Sequence, residues 1–258
     1  MPGRPSSHPF LAHDGVLAFA HRGGDEVAPE NTMAAFEAAV ELGFRYLETD
    51  IHCTRDGALV AFHDDRLDRV TDARGRVADM TLADIRGARI GGEHEIPLFE
   101  DLLDRWPWVH INVDPKSDRA VEPLIDLLRR TEALDRVCVG SFSGRRLLRM
   151  KQALGDRLCC SLGPLDVTRL RLASLWPAGW PRSIAAHCVQ VPVRHFGIPV
   201  IDRRFIDAAH RHGLQVHAWT INDENEMTRL IDLGIDGLMT DRPALLRAVL
   251  DRRGLWRA

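Results

Sequence analysis

Short runs rich in β-branched and aromatic residues alternate with helical patterns along nearly the whole chain, and this alternation calls for a parallel sheet with helical crossovers. Strands are expected at 16–21, 45–51, 108–114, 136–141, 157–161, 188–192, 214–220 and 236–240. Helices fit between them at 32–42, 98–105, 119–131, 144–153, about 165–175, 203–212, 224–233 and 242–252. Asn31 and Thr32 can cap the first helix, while Gly43, Gly213 and Gly234 stand where a left-handed residue ends one. Eight β/α units imply an α/β fold of the TIM (β/α)₈ type, which takes about 250 residues. The chain has 258.

One stretch departs from the repeat. After the second strand, Asp56-Gly57 offers a turn into a run ending at His63-Asp64, and a long connection follows before the next helix begins near Pro97. This predicts a small insertion at about 64–96. Long loops on a barrel usually serve the site, which lies at the C-terminal ends of the strands. The barrel is expected over 15–258, behind a flexible N-terminal tail at 1–14.

Composition removes several functional classes. A hydrophobic share of 45% with 28% charged residues describes a globular domain with a real core and excludes disorder and coiled coil. The formal charge of −3 provides no global field for nucleic acid or for stable association with an anionic membrane, so an anion must be bound locally. Five cysteines without a C-x-x-C pair argue against a disulfide framework, and no apolar run has the length of a signal or membrane segment. A cytoplasmic location is expected. No G-x-x-x-x-G-K-[ST] occurs, which excludes a P-loop.

Side chains alternate along a strand, so Glu48 and Asp50 share a face at the end of the second strand, as do Asn112, Asp114 and Lys116 on the third. Three carboxylates converging without cysteine suit a hard divalent ion, Mg²⁺ or Ca²⁺ with Mn²⁺ as a further option, rather than zinc. The E-x-D spacing alone equally describes solvated strand ends held in salt bridges. Lys116 and Lys151 are the only lysines in an arginine-biased chain, which makes a compact ammonium at this position notable.

The residues around these carboxylates are more specific. The first strand ends in His21-Arg22-Gly23-Gly24, followed by Ala28-Pro29-Glu30-Asn31-Thr32; the second runs on through Thr54-Arg55-Asp56-Gly57 to His63-Asp64. The string HRGG…APENT…LETDIHCTRDG…FHD..LDR.T, with the later PLFEDLL, WTIN and GLMTDRP, resembles the glycerophosphodiester phosphodiesterase family over about residues 16 to 250. The resemblance implies a TIM barrel with a small insertion after the second strand, and a glycerophosphodiester as the small-molecule partner. It also implies His21 and His63 as general acid and base, Arg22 as a phosphate ligand, and Glu48 and Asp50 as metal ligands. Asp114 takes a slot usually held by Glu, two residues before the lysine, and is expected to hold the ion more closely or through water. Chemistry agrees: hydrolysis builds negative charge on phosphoryl oxygens, which Arg22, Lys116 and an ion would stabilise, and histidine titrates near neutral pH.

Weaker candidates are His52, which shares the face of Glu48 and Asp50 or else packs under the insertion, and Trp219 and Asn222, which could line the pocket. Glu30 and Asp64 are expected to orient Arg22 and His63, or else to cap. Two other readings stay open. One is a lysophospholipase D or sphingomyelinase D-like activity, with the Trp- and Pro-rich 176–200 stretch lining a groove for an acyl chain. The other is a phosphate-binding barrel without catalysis. Oligomeric state is not written in the sequence.

Overall fold

The computed structural model describes residues 8–175 and 186–257. Eight parallel strands form the barrel wall: β1 (Leu17–His21), β2 (Tyr46–Cys53), β4 (His110–Pro115), β5 (Val137–Val139), β6 (Cys159–Cys160), β7 (Cys188–Pro192), β10 (Gln215–Trp219) and β11 (Gly237–Thr240). They run in the order β6-β5-β4-β2-β1-β11-β10-β7, and a parallel bridge between Ser161 and Cys188 joins the two ends. Helices α1 (Met33–Glu41) and α3 to α9 (Phe99–Arg105, Val121–Arg130, Gly144–Leu154, Pro164–Leu175, Arg203–Arg211, Glu224–Leu233 and Pro243–Arg252) surround it. Each expected strand and helix has its counterpart here. The (β/α)₈ barrel is therefore the fold.

Strand β2 shows how the sequence builds both faces of the wall. Leu47 and Ile51 point outward into the apolar seam beneath the helices, while Tyr46 points inward among Phe19, Cys138, Cys159 and Met239. Glu48 and Asp50, on the inward parity, then fall at the C-terminal end. The insertion has a third core of its own, made of Val60, Phe62, Leu67, Val77, Ile85, Ile90 and Ile96. It begins with β3 (Leu59–Ala61), which pairs antiparallel with β2, and contains the short α2 (Leu82–Ile85).

Two expectations need correction. Residues 8–14 are not a tail: Pro9–Leu11 form a 3₁₀ turn, and Phe10 and Leu11 are fully buried beneath the barrel, where Tyr46 Oη donates to the Phe10 carbonyl at 3.0 Å. An open barrel floor would expose Phe19 and Tyr46, and this turn covers them. The sixth unit is also more elaborate than a bare strand, because β7 leads into a hairpin of β8 (Arg194–His195) and β9 (Ile198–Pro199) with Phe196 and Gly197 at its tip. Residues 176–185, the core of the stretch suggested as an acyl groove, lie outside the described residues.

Candidate active site

The register of the strands brings the expected residues to one level. His21 pairs with Glu48 across β1 and β2, and Asp50 pairs with Asp114 across β2 and β4. Just past His21 the chain turns sharply. Arg22 adopts φ +53, held by its N–H on the Glu48 carbonyl at 2.9 Å and by the Asn31 N–H on its own carbonyl at 2.8 Å. Gly23 and Gly24 follow because a Cβ there would lie 2.8 Å from the backbone of α1 and 2.6 Å from the ring of Pro243, respectively. Thr32 caps α1 through the Ala35 N–H, as its position in the sequence suggests.

Charges are crowded together at this mouth. Lys116 Nζ lies 2.6 Å from Asp50 Oδ1 and 3.0 Å from Asp114 Oδ2. Arg22 Nε lies 3.0 Å from Asp50 Oδ2, but off the axis of a hydrogen bond. Asp50 Oδ2 and Asp114 Oδ1 are thus buried oxygens without a hydrogen-bond donor among the described residues. Burial pushes the Glu48 carboxyl up to about 7, although His21 opposes the shift. Asp114 is raised by burial against the pull of Lys116. Burial alone would lower both Lys116 and His21, but the neighbouring carboxylates outweigh it and both rise.

The two histidines are held alike. His21 Nδ1 is 2.6 Å from Asp241 Oδ1, and its Nε2 faces Glu48 at 3.7 Å. His63 Nδ1 is 2.6 Å from Asp64 Oδ1. Each carboxylate orients its ring through Nδ1, and Nε2 stands outside that bond. Asp64 was expected from the sequence; Asp241 was not. The register of the sheet accounts for its place, since Thr240 pairs with Ala20 and the next residue falls beside His21.

Other candidates play supporting parts. His52 is buried and its Nε2 donates to the His63 carbonyl at 3.0 Å, which ties β2 to the root of the insertion; burial lowers its pKa. Asn222 is tied to the carboxylate that holds His21. Its Nδ2 donates to Asp241 Oδ2 at 2.8 Å, while its carbonyl oxygen accepts from the Asp241 N–H at 2.9 Å. Trp219 stands at the end of β10 with its ring 5.7 Å from exposed Phe142, which follows β5, the neighbour of the strand that carries Asp114.

The donor set fits a hard cation in kind: three carboxylates on adjacent strands, two with an unengaged buried oxygen. Among the described residues, no three His, Cys, Asp or Glu side chains already form a cage, and the Lys116 ammonium stands between Asp50 and Asp114. No helix among the described residues is long and apolar enough to cross a membrane.

Residues 21–245 match the model of the glycerophosphoryl diester phosphodiesterase family. "Probable glycerophosphodiester phosphodiesterase 2" of Mycobacterium tuberculosis is 42% identical over 255 residues, covering 96% of this chain and 95% of that one. A solved structure from Silicibacter pomeroyi, assigned as a glycerophosphoryl diester phosphodiesterase, superposes with a TM-score of 0.81 at 24% identity and covers 100% of this chain and 97% of its own. An Oleispira antarctica phosphodiesterase, solved in complex with the product sn-glycerol-3-phosphate, gives 0.75 at 22% identity, with 92% and 97% covered. The structures support the fold, and the family model and the mycobacterial relative supply the membership: this chain is an enzyme of the glycerophosphoryl diester phosphodiesterase family.

Proposed function

We propose that the chain hydrolyses glycerophosphodiesters to sn-glycerol 3-phosphate and an alcohol, with His21 and His63 as the acid–base pair. The observation that carries this reading is their common setting, Nδ1 tied to a carboxylate at 2.6 Å in each case. A fixed Nδ1 proton leaves Nε2 able to take a proton from the attacking oxygen on one histidine and to give one to the departing oxygen on the other. Arg22 and Lys116 bring fixed positive charge to the place where phosphoryl oxygens become more negative. The attacking oxygen is water or the neighbouring glycerol hydroxyl, and the latter gains from being held beside the phosphorus.

Glu48, Asp50 and Asp114 would hold a divalent ion, with Lys116 giving up its place between the two aspartates to face the phosphate. Such an ion supplies further stabilisation of developing negative charge. The support is the all-oxygen donor set and the unengaged oxygens of Asp50 and Asp114. Five buried thiols, none in a disulfide, accord with a reducing, cytoplasmic setting.

A chelated preparation assayed on glycerophosphocholine, glycerophosphoethanolamine and lysophospholipids, with Mg²⁺, Ca²⁺ and Mn²⁺ added back singly, tests both parts. Turnover is expected on the glycerophosphodiesters, lost in chelator and restored by at least one ion. Full turnover in excess chelator, with no metal by elemental analysis, overturns the carboxylate site. Turnover confined to lysophospholipids overturns the substrate.

A further inference from the structure

We infer that Arg69, on the insertion, is a positioning residue that locks the acid–base side of the mouth to the phosphate-binding side. It occupies the 3₁₀ turn Leu67–Arg69, whose Leu67 is fully buried in the insertion's own core. That anchor sets the root of the arginine, and its guanidinium reaches two carboxylates on different elements. Nε donates to Asp64 Oδ2 at 2.6 Å, and Nη2 donates to Asp64 Oδ1 at 3.1 Å and to Glu30 Oε1 at 2.6 Å.

Both acceptors are shared with the site. Asp64 Oδ1 is the atom that holds His63 Nδ1 at 2.6 Å, and Glu30 Oε1 is the atom that accepts from Arg22 Nη1 at 3.2 Å. His63, Asp64, Arg69, Glu30 and Arg22 therefore form one continuous relay, with Arg69 as its only member from beyond the β3 strand and its exit. The fork of the guanidinium suits this task because it fixes two carboxylates in direction as well as distance, which an ammonium cannot do. The bond to Arg69 is also the main reason the Asp64 carboxyl is held down at about 2, so it stays ionised beside His63.

This inference rests on the proposed roles of His63 and Arg22. A misplacement of about 1 Å in such groups can cost about 10²-fold in rate. Arg69→Ala is expected to lower kcat and raise KM together, because both ends of the relay loosen, with kcat/KM falling about 10- to 100-fold and the melting temperature little changed. Arg69→Lys, which keeps the charge and loses the fork, should fall between wild type and alanine. Guanidinium ion at concentrations well below denaturing should restore part of the Arg69→Ala activity, and should do nothing for Arg66→Ala, whose arginine pairs with Asp68 on the surface. Asp64→Asn combined with Arg69→Ala should be little worse in kcat than Asp64→Asn alone.

Wild-type kcat and KM in a folded Arg69→Ala enzyme, or losses in kcat that multiply in the double mutant, overturn the relay. His63→Ala is measured alongside. If it turns over at the wild-type rate, the acid–base reading falls whatever Arg69 does; if it is crippled while Arg69→Ala is not, only the relay falls.

Discussion

Two histidines, one at each end of the barrel, meet opposite settings. At the mouth, burial works to lower His21, yet its pKa is raised, because Glu48 and Asp241 stand against it. At the floor, burial pushes His110 down to about 4, with arginines nearby and no carboxylate to resist. It is a neutral ring stacked on Tyr46 at 4.7 Å, which in turn packs edge-on against Phe10 at 5.5 Å. Among the described residues, the mouth combines buried Asp50 and Asp114 oxygens that lack a hydrogen-bond donor with the left-handed Arg22 backbone, while the floor leaves one such atom, His110 Nδ1, and is closed by a turn that brings Phe10, Leu11 and a satisfied carbonyl. A barrel of this kind spends stability at one end to hold reactive groups and recovers it at the other.

If that division is right, substitutions should separate cleanly into those that stop chemistry and those that lower stability. The largest effect is expected from His21→Ala and His63→Ala, each losing about 10²–10⁴-fold in kcat with a melting temperature near that of the wild type. The double mutant should be little slower than either, since the pair works as a unit. A substrate with a p-nitrophenol leaving group needs no proton on departure, and should rescue the mutant that lacks the acid but not the one that lacks the base. A large fall in melting temperature in either single mutant would break the comparison at its mouth end.

Next in size is Asp114→Asn, expected to cut turnover by orders of magnitude and to weaken activation by divalent ion. Asp118→Asn, four residues on, should cost little in turnover, because that exposed carboxylate pairs with Arg145 and Arg146 at 2.7 Å each and not with the mouth. Equal effects from the two would mean that the inward face of β4 does not make the site. At the other end, Phe10→Ala empties a fully buried ring from the floor and should cost about 3–5 kcal/mol of stability. The fraction still folded should keep its kcat. A selective loss of kcat in that variant would show the floor reaching the chemistry.

How much of this was legible in the sequence follows the same division. Strand parity placed Glu48, Asp50 and Asp114 together because the period of a strand is strict, and the structure pairs Asp50 with Asp114 as that parity requires. The supports were harder to see. The grip of Asn222 on Asp241 was not legible, since its direction depends on a loop that no periodicity describes. Arg69 and Asp241 meet their partners across 39 and 220 residues of chain, distances at which spacing carries no signal until the register of the sheet is known. Phe10 and Leu11 lay in a short segment rich in Pro, Ser and His, and two apolar residues are too few to announce a plug.

The smallest effect expected belongs to the floor end and concerns His210, at the end of α7. Its Nε2 lies 2.7 Å from Asp236 Oδ2, just before β11, and the same oxygen accepts from the Val216 N–H at 2.7 Å. The bond to Asp236 raises the histidine above its ordinary 6.5, against the effect of burial. A group whose pKa is raised on folding contributes its full share below the unfolded value, where both states are protonated, and loses it as the pH climbs through the folded value. His210 is over a third exposed, so solvent screening should keep this share under about 1 kcal/mol. The melting temperatures of wild type and His210→Ala should therefore differ most at about pH 5.5 and draw together by about pH 9, with kcat unaffected throughout. A gap that widens towards alkaline pH would mean that Asp236 holds a neutral ring and that the floor carries no charge-dependent clamp.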